Sequence, residues 1–199
     1  GVQISFATDI ESSPIKVGIN QFYGIEINDF AVTVAKTALW IAESQMLKET
    51  EDIILMHIDF LPLKTNAFII EGNALRIDWE NVLPASQLNY IMGNPPFLGY
   101  SMQNESQKKD ILEIYVDEKR KKYKTAGKID YVSGWYFKAA KYIYGTGIKA
   151  AFVSTNSITQ GEQVASVWKP IYDRFNVNII FAYKTFIWDS EASQKAHVH

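Results

Sequence analysis

Two consecutive prolines, Pro95 and Pro96, follow the apolar run "LNYIMG" and limit what the chain can do there. Neither ring nitrogen can donate a backbone hydrogen bond, and each proline fixes its φ near about −65°. Each also drives the residue before it toward extended backbone. The run at residues 88–93 therefore reads as a strand that must stop at Asn94, in a stiff loop whose carbonyls no ladder claims. An amide opens that loop and an aromatic ring, Phe97, follows it.

The rest of the chain alternates strand and helix around this point. Residues 20–27 ("NQFYGIEI") read as a short buried strand, followed at once by a helix for which Asn28 or Asp29 can serve as N-cap. Phe30, Val34, Ala38, Ile41 and Ala42 recur at helical spacing and predict its apolar face. Residues 67–75 ("AFIIEGNAL") read as a second strand, 129–144 as a helix, and "IKAAFVSTNS" as a strand with a polar exit. A helix is expected around Pro170, and a fifth strand over "VNIIFAYKTFI". Such alternation, with continuously apolar strands, predicts an α/β fold whose parallel sheet is covered on both faces. Ligands of these sheets bind beyond the carboxyl ends of the strands. Three strands end there in polar groups, at Glu26, Asn73 and Asn94.

Composition narrows the class without choosing a function. The 199 residues are 47% hydrophobic and 21% charged, with a formal net charge of −2, as expected for one soluble domain. No run reaches the ~18 apolar residues of a membrane span, and the first residues lack the layout of a signal peptide, so no membrane partner and a cytoplasmic setting are expected. With no cysteine in the chain, disulfides and thiolate metal sites are excluded. His197 and His199 alternate on one strand without a third ligand, and His57 stands alone, so no metal is expected.

Each polar strand end has a chemistry and a plainer role. A carboxylate at Glu26 suits the two hydroxyls of a ribose; it equally suits the positive N-terminus of the following helix. Asn73 can both accept from and donate to an adenine edge, or be an ordinary turn residue. The Asn94-Pro95-Pro96-Phe97 segment is more specific. An exocyclic amino group on a planar ring is a poor nucleophile because its lone pair is delocalised. Two acceptors, the Asn94 side-chain oxygen and the Pro95 carbonyl, would bind its two hydrogens and favour a tetrahedral nitrogen. The prolines hold those acceptors in place, as preorganised electrostatic catalysis requires, and Phe97 offers a face for stacking.

With those residues in view, "GNPPF" resembles the NPP[FY] signature of amino-group methyltransferases that use S-adenosylmethionine (SAM). "FYGIEI", "EGNAL" and "AAFVSTNSI" stand where that family's later cofactor and sheet motifs would be. "INQFYGIEINDFAVTVAKTALWIAESQM" and "NSITQGEQV" resemble one branch of it, the MmeI-like DNA adenine methyltransferases of restriction-modification proteins. The resemblance implies a Rossmann-like class I methyltransferase sheet with helices on both faces. It implies methyl transfer from SAM to N6 of an adenine flipped out of double-stranded DNA. It places Glu26 on the SAM ribose, Ile27 against the cofactor adenine and Asn73 at that adenine's edge, where the family often has Asp. Asn94, Pro95, Pro96 and Phe97 take the catalytic positions. Phe186 and Trp188 both match the later region that supplies a second stacking ring, although core packing is the commoner role for either.

The family also has a glycine-rich loop after its first strand, and "GVQISFATDIESSPIKVGINQ" holds only Gly1 and Gly18. The expectation is therefore a partial methyltransferase domain over residues 1–199, lacking that strand and loop, with a polar insertion around 101–130. An unpaired seam would invite self-association through strand edges, and "VQISF" could pair as an improvised strand. Two other readings stay open, a non-catalytic fragment and methylation of an amino group on RNA or protein glutamine. "DEKRKKYK" (117–124) puts five cations behind the loop, fit for phosphates or for a solvated face. "NSITQGEQ" carries no chemistry readable from its spacing.

Overall fold

The computed structural model describes residues 15–55, 57–58, 66–183, 185–188 and 196–198. The chain divides into two compact units, residues 1–74 and 75–199. "VQISF" lies outside the described residues.

The first unit holds β1 (Tyr23–Glu26), α1 (Asp29–Ile54) and β2 (Phe68–Glu71). Asn28 is the N-cap, its side chain accepting from the Ala31 amide at 3.1 Å and so satisfying a donor that the first turn leaves free. β1 and β2 pair in parallel, Tyr23 opposite Phe68 and Glu26 opposite Glu71. The Gly72 amide extends the ladder to the Glu26 carbonyl at 2.8 Å. Stacked rings of Tyr23 and Phe68, 4.9 Å apart, join the strands on one side. The predicted apolar face of α1 is exposed rather than covered: Phe30, Val34, Ala38, Ile41 and Ala42 all meet solvent, and Val32 is the buried residue of the helix.

The second unit contains β3 (Tyr90–Gly93), α2 (Glu105–Ile114), α3 (Ser133–Ile143), β4 (Lys149–Phe152) and α4 (Gly161–Phe175), then β5 (Phe186–Trp188) and β6 (Ala196–Val198). β3 pairs in parallel with β4, and β5 pairs antiparallel with β6. The fold is thus α/β with parallel strand pairs, as the alternation predicts.

The core of this unit is built by helices. Ile111, Tyr115, Ile129, Phe137, Val167 and Ile171 are each at most 1% exposed, and burial of side chains this large contributes roughly 1.5–3 kcal/mol apiece. Phe137 tilts against Tyr115 at 4.4 Å and meets Phe175 edge-on at 5.2 Å. Gly134 permits the approach of α3, since a Cβ there would lie 3.0 Å from the side chains of both Leu75 and Ile111. The stretch 101–130 is not only polar surface, because Ile111, Tyr115, Ala126 and Ile129 all lie in the core.

Two elements differ from expectation. The helix around Pro170 is longer than predicted and starts at Gly161, whose φ of +58° suits a residue without a Cβ. Residues 177–183 form no strand, and Ile179, Ile180, Phe181 and Tyr183 are exposed. High β propensity makes no strand without a neighbour to receive its hydrogen bonds.

Candidate active site

In the first unit, Glu26 and Asn73 emerge at the same carboxyl edge of the β1–β2 pair. Register places Glu26 opposite Glu71, two residues before Asn73. One oxygen of Glu26 accepts from the Asn28 amide at 3.0 Å, the role expected of an acid at a helix start. Its other oxygen has no protein partner among the described residues, so the carboxylate retains acceptor capacity for a hydroxyl. Ile27 is exposed just beyond. This edge combines an acid, an exposed aliphatic side chain and an amide, a donor set suited to a nucleoside.

In the second unit, β3 stops at Gly93 as the prolines demand. The Val153 amide gives the last ladder bond, to the Gly93 carbonyl at 3.1 Å. A Cβ on Gly93 would stand 3.3 Å from the Phe152 ring, its register partner, so glycine lets the strand end lie flat on that ring. Beyond it Asn94 is exposed, Pro95 buried, Pro96 exposed and Phe97 half-buried. Among the described residues neither the Asn94 amide nor the Pro95 carbonyl has a hydrogen-bond partner. Buried Pro95 anchors the loop, and exposed Asn94 stands at its mouth.

What fixes the far side of this loop is Asp130, which sequence reasoning passed over. Asp130 is 4% exposed. Its Oδ1 accepts from the Tyr100 amide at 3.0 Å, and its Oδ2 accepts from the Ser157 hydroxyl. The Asp130 amide donates to Gln163 Oε1 at 3.0 Å, and the next amide, of Tyr131, donates to the Leu98 carbonyl at 2.9 Å. Buried Gln103 donates to the Ile129 carbonyl at 2.9 Å. Ser157 and Gln163 come from "NSITQGEQ", so that segment braces the loop rather than binding phosphate. The available signal was an acid inside the apolar stretch "IDYVSGW", since buried carboxylates occur only where partners satisfy them.

Two further groups stiffen the surroundings. Lys138 on α3 donates to the carbonyls of Leu75 and Ile77 and lies 5.4 Å from the Trp79 ring centre. Burial lowers its pKa to about 8. Tyr136 donates to Ser154 Oγ at 3.1 Å beyond the end of β4, and burial raises its pKa more than this bond lowers it.

Phe186 and Trp188 belong to β5 and flank Ile187, which pairs with His197; the roles expected of their side chains lie outside what is described. His57 is not isolated, since its Nδ1 is 2.7 Å from Glu51. No group of acids and histidines capable of holding a metal occurs among the described residues, nor any helix long and apolar enough to cross a membrane.

Comparison with known proteins bears directly on this arrangement. The family model described as "MmeI, DNA-methyltransferase domain" matches residues 2–199. "DNA methyltransferase A" of Bacillus subtilis (strain 168) is 45% identical over 185 residues, covering 92% of this chain and 20% of that protein. Among solved structures, the type IIL restriction-modification enzyme MmeI in complex with DNA aligns with a TM-score of 0.83 and 43% identity. That match covers 93% of this chain and 24% of the MmeI chain. The chain therefore spans about a fifth to a quarter of the length of these relatives.

Proposed function

Because the chain belongs to the MmeI DNA-methyltransferase domain family, we propose that it transfers a methyl group from S-adenosylmethionine to the N6 amino group of an adenine in double-stranded DNA, as part of a restriction-modification protein. The observation that carries this reading is the pair of acceptors, the Asn94 amide oxygen and the Pro95 carbonyl, that have no hydrogen-bond partner among the described residues, on a loop anchored by buried Pro95 and Asp130.

The residues at the β1–β2 edge fit the nucleoside part of SAM. Glu26 would accept from the ribose hydroxyls, Ile27 would lie against the adenine, and Asn73 would meet its polar edge. When bound, SAM supplies an electrophilic methyl group. Asn94 and Pro95 accept the two hydrogens of the target amino group and turn its lone pair outward. Pro96 keeps the backbone from relaxing, and Phe97 stacks on the extruded base. The Asn94 amide stays neutral throughout, so the proton leaves to water after transfer rather than to a basic side chain. Phe186 or Trp188 supplies the second stacking ring.

The test is incubation of the protein with labelled SAM and unmethylated duplex DNA, followed by nucleoside analysis. N6-methyladenine is the expected product. Label in RNA or on glutamine amides, with none in DNA, would sink the assignment. No transfer together with no heat on SAM titration would identify a non-catalytic fragment.

A further inference from the structure

The structure also contains a concentration of positive charge that the methyl-transfer chemistry does not use. Lys119, Arg120, Lys121, Lys122 and Lys124 all lie exposed in the hairpin that follows α2. With Asp117 and Glu118, residues 117–124 sum to +3 in a chain of net charge −2, leaving −5 for everything else.

This hairpin is held firmly. Tyr115 at its base is fully buried and donates to the Ser133 carbonyl at 3.1 Å. The Tyr123 amide returns to the Tyr115 carbonyl at 3.1 Å, and Val116 bridges Lys122 in antiparallel fashion. Arg174 donates to the Val116 carbonyl. The Asp117 carboxylate accepts from the Lys121 amide at 2.8 Å, so one of the two acids is committed to the turn itself. Arg120 sits at φ 61°, a left-handed conformation that glycine or asparagine adopts far more readily. An arginine kept there at a local cost points to a use for its charge.

A solvated charged face is the plainer reading, and neighbouring α2 shows its form. Lys108 is 3.0 Å from Glu105, and Lys109 is 3.7 Å from Glu113. Among the described residues none of the five hairpin cations has an acidic partner. The hairpin also runs directly into the turn Ala126–Lys128, which packs on the turn Tyr100–Met102 three residues beyond Phe97. Its cations thus immediately precede, in the chain, a turn that packs against the segment following Phe97.

We propose that residues 117–124 form a phosphate clamp that grips the backbone of the duplex whose base the Asn94 loop receives. This rests on the DNA-methyltransferase reading above. Cations without ion pairs break no internal bond when phosphates arrive, and binding releases the counterions of the duplex. Each phosphate contact therefore contributes about 0.9 to the slope of log affinity against log salt.

The experiment is duplex binding by fluorescence anisotropy between about 50 and 200 mM salt, comparing the protein with a K119Q/R120Q/K121Q/K122Q variant. We expect the salt slope to fall by about 2 or more and affinity at low salt to drop at least about tenfold. Arg120→Gly, which suits the left-handed turn and removes one charge, should lower the slope by about 1 with the thermal midpoint unchanged or raised. Normal duplex binding with an unaltered slope in both variants would overturn the clamp and leave the methyltransferase reading intact. No duplex binding by the unmodified protein would instead overturn the functional reading. Phosphatidylserine vesicle binding that the substitutions abolish, with duplex binding unchanged, would assign the hairpin to membranes and also overturn the clamp.

Discussion

Glu26 and Asp130 are both carboxylates next to candidate site elements, and their surroundings differ in nearly every respect. Glu26 ends β1 in a unit whose buried apolar residues, among those described, are few: Ile19, Val32 and Ala67. Among the described residues its carboxylate accepts one hydrogen bond, from an amide two residues away, through one of its two oxygens. Asp130 lies in the unit that holds the aromatic core, is buried, and has both oxygens engaged by partners 27 and 30 residues distant. A carboxylate with spare acceptor capacity at a strand end is suited to a ligand. One saturated by distant partners is suited to holding other groups still. The same contrast separates Asn94, exposed with no partner among the described residues, from Gln103, buried and bonded to the Ile129 carbonyl.

This contrast can be broken at either end. The largest effect is expected at Asn94→Ala, which removes an acceptor needed only as the amino group becomes nucleophilic. Methyl transfer should fall about 10²–10³-fold while the thermal midpoint stays put; a matching loss of stability would mean that Asn94 is structural. Asp130→Ala should show the opposite signature. It leaves the Tyr100 amide without its carboxylate acceptor and the Ser157 hydroxyl with Thr155 Oγ1 as its remaining partner, so unfolding free energy should drop by about 1–3 kcal/mol, read by denaturant melting. Activity would fall through the loosened loop, and Asp130→Asn should restore part of both losses.

Smaller effects sharpen the distinction. Glu26→Gln should weaken SAM binding about tenfold in calorimetry, near 1.4 kcal/mol, with a stability change under about 0.5 kcal/mol. Gly93→Ala forces the Phe152 ring to give way by a few tenths of an ångström. The expected cost is about 1 kcal/mol in stability, with a greater proportional loss in kcat than in KM. The smallest effect is the pH response of Lys138. Its pKa in the folded protein, about 8, is below the ordinary 10.5, so between these values the unfolded chain binds more protons. Stability from this group should therefore rise as pH climbs from about 8 to 10.5, and be flat below 8. Partial exposure and the two carbonyl acceptors keep the gain below about 1 kcal/mol, and Lys138→Met should remove the slope.

Much of the fold was legible because the rules involved act over a few residues. Pro95 and Pro96 end β3 wherever they stand, and Asn28 caps α1 through an amide three residues on. Glu26, Asn73 and Asn94 were found at strand ends because an apolar run followed by a polar group needs no knowledge of neighbours. Asp130 was not found, since its partners Tyr100, Ser157 and Gln163 lie about thirty residues away on either side. The strand expected over 177–187 is realised in β5 at Phe186 and Ile187 but not over 177–183, for a related reason. Propensity can favour extended backbone at Ile179 and Ile180, but only a neighbouring strand can complete its hydrogen bonds.

The sequence by itself thus determined where strands stop, which helix is capped and which acceptors stand at the mouth of the loop, because covalent geometry and nearest neighbours settle those matters. Tertiary structure alone decided that β1 pairs with β2 and β3 with β4, that "NSITQGEQ" is a brace, and that the cations at 119–124 remain without acidic partners among the described residues. Those outcomes depend on which distant groups meet, and a hydrogen bond or an ion pair exists only where folding brings both of its members within reach.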